Sequence, residues 1–238
     1  MSLPGTILIT GTDTGVGKTI TTAALAAVLE QRGGSVAVYK PCQSGNAAGD
    51  SDCAEIQRLA APAKAEAGIV LEQPLAPVPA AALDGVTLPP LEHHAARIRE
   101  LGRTHSHVLV EGAGGLLVEL DHDGGTLAGL GTLLGGDAAF VVVARPSLGT
   151  LNHTALTLEA LKNRDLAVLG VVLGSWPAEP GVVELSNRET INQWPVALLG
   201  AIPYLGAVPF LGGPSGDAGG WETGTFRTQA ATWLELPA

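Results

Sequence analysis

Four places in this chain carry side chains suited to handling a phosphate group: Lys18 with Thr19, then Lys40, Asp52 and Glu111. The first is the most informative. Ile7-Leu8-Ile9-Thr10 is a short apolar run that reads as a buried strand. A turn rich in Gly and Thr follows, Gly11-Thr12-Asp13-Thr14-Gly15-Val16-Gly17, and Lys18-Thr19 lead into an apolar run through Leu29 that reads as a helix. Strand, glycine turn, Gly-Lys-Thr and helix together make a phosphate-binding loop. Backbone N–H groups of the turn and of the helix start point at a phosphate, and the helix dipole favours its negative charge. Lys18 then reaches the outer phosphates and the Thr19 hydroxyl ligates Mg2+. The strict pattern has Gly five residues before Gly17, where this chain has Thr12.

Ser35-Val36-Ala37-Val38-Tyr39 is apolar enough for a buried strand and delivers Lys40, and beyond it Ser44, at its C-terminal end. In an open α/β sheet ligands gather at the C-terminal ends of strands, so Lys40 and Ser44 are expected near the phosphate loop. Asp50 and Asp52 stand at the start of a short helix running from Asp52 to Ala61. Either one caps that helix or Asp52 serves as a Mg2+ ligand, and spacing does not separate the two. Val108-Leu109-Val110 is a third apolar strand; it ends in Glu111, followed by Gly112-Ala113-Gly114-Gly115. An acidic residue closing a neighbouring strand is where phosphate-loop enzymes bind the Mg2+ shell.

The remaining elements must hold these groups in place. Helices are expected over 18–32, 91–103, 127–134, from the 145–154 loop to Lys162, over 182–193 and over 225–236. Strands are expected at 6–10, 139–144, 166–173 and 195–202, with a short extension at 116–120. Gly33-Gly34 closes the first helix. Residues 62–91, with six prolines, read as a long surface connection, and 206–220 as a loop rich in Gly and Pro. The loop Arg145-Pro146-Ser147-Leu148-Gly149-Thr150 opens a helix whose free N–H groups suit an anion such as a carboxylate. His93 and His94 are adjacent and share no helix face, while His105 and His107 lack a third ligand, so none reads as a metal site. The alternation of strands and helices calls for one α/β domain over 1–238, a mostly parallel central sheet with helices on both faces.

Composition narrows the partners. The chain has 238 residues, 46% of them apolar and only 4% aromatic, with 32 Gly. That suits Ala, Val and Leu packing of helices on a parallel sheet. A formal net charge of −10 without basic clusters argues against nucleic acid and anionic membranes. The longest apolar run, Ala138 to Ala144, is far short of a membrane span, and the first five residues lack a signal peptide's charged start. Cys42 and Cys53 are too few for a disulfide framework. The expectation is a cytoplasmic protein with reduced thiols.

Taken in order, the phosphate loop, Tyr39-Lys40-Pro41 with Ser44-Gly45, Asp52, Val110-Glu111-Gly112-Ala113-Gly114-Gly115 and Leu148-Gly149-Thr150-Leu151-Asn152-His153 resemble the dethiobiotin synthetase family over about residues 6 to 204. The resemblance implies a phosphate-loop fold and a ligase that closes the ureido ring of dethiobiotin from 7,8-diaminononanoate, carbon dioxide and ATP with Mg2+. It passes through a carbamate and a carbamic–phosphoric anhydride. It implies Lys18 at the γ-phosphate, Lys40 at the carbamate and the transferring phosphoryl group, and Thr19, Asp52 and Glu111 at Mg2+. Thr14, Ser44 and the backbone of Gly149, Thr150, Leu151 and Asn152 take the diamine substrate, the last four from a partner subunit, which implies a homodimer. Nucleotide contacts fall to Gly15, Val16, Gly17, Lys18, Thr19, Ile20, Asp52, Glu111, Gly112, Ala113, Gly114, Gly174, Ser175, Ile202, Pro203 and Tyr204. Two positions depart from the family. Gly15 stands where some members carry Glu. Gly174 stands where several carry an Asn that reads adenine, so base selectivity is expected to be relaxed and another triphosphate such as CTP to serve beside ATP. The dimerising switch ATPases of this class carry a Lys early in the loop, where this chain has Asp13.

Overall fold

The computed structural model describes residues 3–46, 51–205 and 222–237. Seven strands and eight helices alternate through these residues: β1 Thr6–Gly11, α1 Lys18–Gln31, β2 Val36–Gln43, α2 Asp52–Ala60, β3 Lys64–Val70, α3 Pro77–Asp84, α4 Leu91–Leu101, β4 His107–Gly115, α5 Leu127–Leu134, β5 Ala138–Ala144, α6 Thr150–Lys162, β6 Ala167–Trp176, α7 Val182–Asn192, β7 Leu198–Pro203 and α8 Thr223–Trp233. The strands form one sheet in the order β3-β2-β4-β1-β5-β6-β7, and every pair is parallel. The chain starts in the middle of the sheet and winds outward, first to one edge and then to the other, so the phosphate loop after β1 lies at the centre of the strands' C-terminal ends.

Strand alternation divides the core in two. On β1, Ile7 and Ile9 face a cluster built on α1, α2 and α8, while Leu8 faces a second cluster built on α3, α4 and α5 with Leu161 of α6 and Ile191 of α7. The central strands β1 and β5 are buried on nearly every residue, as a sheet covered on both faces requires. Each of these fully buried aliphatic side chains contributes about 1.5–3 kcal/mol of transfer free energy. The C-terminal segment closes the α1 face: Glu235 N–H donates to the Leu199 carbonyl at 2.7 Å, and Arg227 pairs with Glu30 at 2.6 Å.

The region 62–91 is not the surface connection its prolines suggest. Lys64–Val70 is the edge strand β3, paired in parallel with β2, and Pro77–Asp84 is helix α3 with proline in its first turn. An edge strand is half exposed and needs no unbroken apolar run, so Lys64-Ala65-Glu66-Ala67-Gly68 carries no strong strand signal. The three prolines at 74, 77 and 79 mark the turn into α3 and its start rather than a loop. The expected 206–220 loop lies outside the described residues.

Candidate active site at the C-terminal ends of β1, β2 and β4

Parity on two neighbouring strands explains how the site assembles. On β2, Val36 and Val38 face α1, and on β4 so does Leu109. Lys40 is two residues beyond Val38 and Glu111 two beyond Leu109, so both turn to that same face. The β2–β4 register pairs Tyr39 with Val110, which brings the next residues, Lys40 and Glu111, level with each other. Thr19 and Thr22 reach them from the first turns of α1.

The result is a compact charged cluster. Lys40 Nζ lies 2.8 Å from Glu111 Oε1 and 2.7 Å from Asp52 Oδ2. Thr19 Oγ1 stands 2.9 Å from Asp52 Oδ1 and 3.1 Å from Glu111 Oε1, and Thr22 Oγ1 stands 2.8 Å from Glu111 Oε2. Burial alone would lower the Lys40 ammonium, but the Glu111 and Asp52 carboxylates against it more than reverse that and hold it above the ordinary lysine value. Burial likewise works against the Asp52 charge, and Lys40 overcomes it, keeping the carboxyl below its usual range. Ser51, rather than Asp52, caps α2, its hydroxyl accepting from Ala54 N–H at 3.2 Å. Asp52 is therefore free to turn both oxygens inward. Gln43 at the end of β2 accepts from Asp52 N–H at 3.2 Å and fixes where α2 begins. Asp50 lies outside the described residues.

The phosphate loop closes on itself beside this cluster. Gly17 takes φ 96°, a left-handed conformation that a side chain would strain, and α1 starts from it. Lys18 Nζ donates to the Asp13 carbonyl at 3.1 Å. Burial first, and then repulsion from Lys40, lower the Lys18 amine to about 8. Asp13 accepts from Thr14 N–H at 2.7 Å and pairs with Arg145, which follows β5; the backbone bond first, and then the Arg145 charge, hold its carboxyl below the usual range. Thr14 stands against Gly114, Val16 packs in the α1 core, and the Ile20 side chain does too, which leaves only the Ile20 backbone facing the loop. Gly112, Ala113 and Gly114 follow Glu111 near the C-terminal end of β4. Ser44, just past β2, accepts through its carbonyl from the Gln43 amide at 3.0 Å.

Beyond β1 the other expected contact residues fall into two groups. Gly174 and Ser175, at the end of β6, press on the loop itself. A Cβ at Gly174 would collide with the Val16 carbonyl oxygen, so no side chain fits there in this arrangement. Ser175 takes φ 54°, and Tyr204 N–H donates to the Trp176 carbonyl at 2.8 Å, tying the ends of β6 and β7 together. Ile202 is core, whereas Pro203 is half-buried and Tyr204 is 59% exposed. Gly149, Thr150, Leu151 and Asn152 begin α6, after β5, which β4 and β1 separate from β2 in the sheet. No side chain caps this helix. The buried Asn187 of α7 pins the loop before it, donating to the Pro146 and Ser147 carbonyls at 2.8 and 3.2 Å.

The donor set of Thr19, Asp52 and Glu111 is one hydroxyl and two carboxylates converging on one spot. Such an all-oxygen, incomplete set fits Mg2+, which keeps several waters and completes its shell with substrate phosphates. Among the described residues no group of three or more His, Cys, Asp or Glu comes together. Three residues that touch the site carry no motif. Thr22 is one helical turn after Lys18, and a buried threonine in an Ala/Leu helix is its only sequence signal. Arg145 and Asn187 act through contacts 132 and about 40 residues apart, which local spacing does not reveal.

Comparison with known proteins follows the same lines. The chain matches the family described as AAA domain over residues 5–211. It is 52% identical over 185 residues to the ATP-dependent dethiobiotin synthetase BioD of Mycobacterium avium (strain 104), covering 78% of this chain and 81% of that protein. The protein of the same name from Mycobacterium leprae (strain TN) is 49% identical over the same shares. Among solved structures, the septum site-determining protein MinD from Pyrococcus horikoshii OT3, complexed with Mg-ADP, superposes with a TM-score of 0.53 at 18% identity, covering 84% of this chain and 81% of that one. The cell division ATPase MinD of Pyrococcus furiosus gives 0.52 at 17%, covering 95% and 97%. At those identities the likeness is one of fold, the phosphate-loop α/β fold.

Proposed function

This chain belongs to the ATP-dependent dethiobiotin synthetase family, an ATP-dependent ligase of biotin biosynthesis, and we propose that Lys18, Thr19, Lys40, Asp52 and Glu111 form its catalytic centre. The observation that carries this is Lys40 held between Glu111 and Asp52, within reach of Thr19 and next to the phosphate loop. The substrates are 7,8-diaminononanoate, carbon dioxide and a nucleoside triphosphate. One amine adds to carbon dioxide and loses a proton, giving a carbamate. The carbamate oxygen attacks the γ-phosphorus and the nucleoside diphosphate leaves. The second amine then attacks the carbamoyl carbon, the C–O bond to phosphate breaks, and phosphate departs as the ring closes.

The chain's own residues supply alignment and charge. Amides of Gly15, Val16, Gly17 and Ile20 wrap the phosphates, and Lys18 exchanges the Asp13 carbonyl for a phosphate oxygen. Lys40 stays charged through neutral pH, so it steadies the carbamate and the transferring phosphoryl group and does not act as a base. Thr19, Asp52 and Glu111 hold Mg2+, which when bound neutralises charge on the outer phosphates. Gly112, Ala113 and Gly114 let the substrate approach the backbone beside Glu111, and Thr14 and Ser44 hydrogen-bond the diamine or its carbamate. The amides of Gly149, Thr150, Leu151 and Asn152 take the substrate carboxylate in the partner subunit's site. The exposed Leu148 and Leu156 on and before α6 support such a homodimer, built from one phosphate-loop domain per subunit.

The base lies against Gly174, Ser175, Ile202, Pro203 and Tyr204. Gly174 offers no side chain to read adenine, which supports use of CTP beside ATP. Two free buried cysteines, and no helix among the described residues long and apolar enough to cross a membrane, support a cytoplasmic enzyme. The test is mass spectrometry of the product from diamine, bicarbonate, Mg2+ and either triphosphate. A product of dethiobiotin mass is expected, with comparable kcat/KM for ATP and CTP. An ATP preference above about a hundredfold, roughly 2.7 kcal/mol, contradicts relaxed base reading.

A further inference from the structure

Two neighbouring threonines on α1 differ in what their hydroxyls do. Thr21 Oγ1 donates to the Gly17 carbonyl at 2.9 Å, the ordinary back-bond of a threonine to its own helix. Thr22 is fully buried and has the same bond available, to the Lys18 carbonyl at 2.9 Å, yet its hydroxyl also sits 2.8 Å from Glu111 Oε2. A hydroxyl has one proton for these two acceptors. The ionised carboxylate is the stronger acceptor, so the proton goes to Glu111.

Glu111 itself is fully buried. Its Oε1 is shared by Lys40 at 2.8 Å and Thr19 at 3.1 Å, and its Oε2 is held by Thr22. With Thr22 donating to it, Oε2 is satisfied where it stands and the carboxylate plane is fixed, so Oε1 keeps facing Thr19 and Lys40. Without that donor, Oε2 would be an unsatisfied charged oxygen in a dry interior, and the group would swivel to gain a second contact with Lys40.

We propose that Thr22 is a positioning residue for the cation site: it orients the Glu111 carboxylate so that Oε1 is presented to the Mg2+ that accompanies the nucleotide. This rests on the reading of Glu111 as a Mg2+ ligand. Groups that orient a metal-binding side chain are typically worth about 10–100-fold in metal affinity.

The experiment reads metal binding without turnover. A mant-labelled, non-hydrolysable ATP analogue is bound to the full-length protein in the absence of diamine, and Mg2+ is titrated against the fluorescence change for wild type, Thr22→Val, Thr22→Ser and Glu111→Gln. Thr22→Val keeps the side-chain shape and loses only the hydroxyl. It is expected to weaken apparent Mg2+ affinity by about 10–100-fold, with binding of the analogue in EDTA unchanged. Thr22→Ser restores the hydroxyl and is expected within about twofold of wild type, since it keeps the same donor. If Thr22→Val binds Mg2+ as wild type does while Glu111→Gln binds it weakly, the inference about Thr22 is wrong and the role of Glu111 stands. If Glu111→Gln leaves Mg2+ affinity intact, the metal reading of Glu111 itself falls, and the inference with it. A loss of analogue binding in EDTA equal to the loss in Mg2+ would show that Thr22 merely supports the helix and would also overturn the inference. If Thr22→Val does not fold, Thr22→Ala is titrated in its place, with the same outcomes.

Discussion

Lys40 Nζ lies 2.8 Å from Glu111 Oε1, and the two side chains are only 6% and 1% exposed. A buried charge is costly unless paired, and here each satisfies the other, with Asp52 and the hydroxyls of Thr19 and Thr22 completing the set. The arrangement keeps a cation and two anions poised beside the phosphate loop, with Lys40 and Glu111 buried and Asp52 a quarter exposed.

Removing Lys40 should therefore separate chemistry from binding. Lys40→Ala is expected to lower turnover by about a hundredfold or more, the scale of losing one preorganised charge at a transition state, while fluorescent nucleotide binding persists. It also leaves Glu111 without its buried cation, which should cost about 3–5 kcal/mol of stability in urea unfolding. Retained turnover would take Lys40 out of the catalytic centre.

Gly174 offers a sharper view of base selection. Installing an Asn there does not create an adenine reader, because its Cβ would meet the Val16 carbonyl oxygen and displace the phosphate loop. Gly174→Asn is expected to raise KM for ATP and CTP alike, by about 5- to 150-fold for the ~1–3 kcal/mol of an overpacked contact. A variant that gained ATP over CTP with an unchanged ATP KM would contradict this.

A buried histidine predicts how stability responds to acid. His94 is fully buried, its Nδ1 is 2.7 Å from the Tyr39 hydroxyl, its Nε2 has no partner, and burial first, then the neighbouring His93, lower it to about 4; Asp121 opposes them. Its ordinary value is 6.5, so the unfolded chain takes up a proton that the folded chain refuses. The stability it contributes is complete above about pH 6.5 and is lost as pH falls toward 4, on the order of 3 kcal/mol in all. Urea midpoints at pH 7.5 and 4.5 should fall more for wild type than for His94→Asn; an equal fall would show that His94 is not the group responsible.

The phosphate loop was legible because its meaning is local: strand, turn, Gly17, Lys18, Thr19 and helix are consecutive. Lys40 and Glu111 were legible as charged residues after apolar runs, although β2 continues to Gln43 and β4 to Gly115, and the parallel sheet with helices on both faces followed from the alternation of elements. What spacing could not give is which strands neighbour each other, and it is the β2–β4 register that puts Lys40 beside Glu111. Spacing left open whether Asp52 caps α2, and the structure gives that cap to Ser51. β3 was missed because a half-exposed edge strand carries little apolar signal, and Arg145, Asn187 and Thr22 because their partners are distant in the chain.

The central claim is that this cluster couples triphosphate cleavage to the diamine. Phosphate release from ATP with Mg2+ and bicarbonate, measured with and without 7,8-diaminononanoate, tests it most directly. Release that depends strictly on the diamine in wild type, and collapses in Lys40→Ala, is the expected result. Release at the same rate without the diamine would contradict it and describe a nucleotide switch instead.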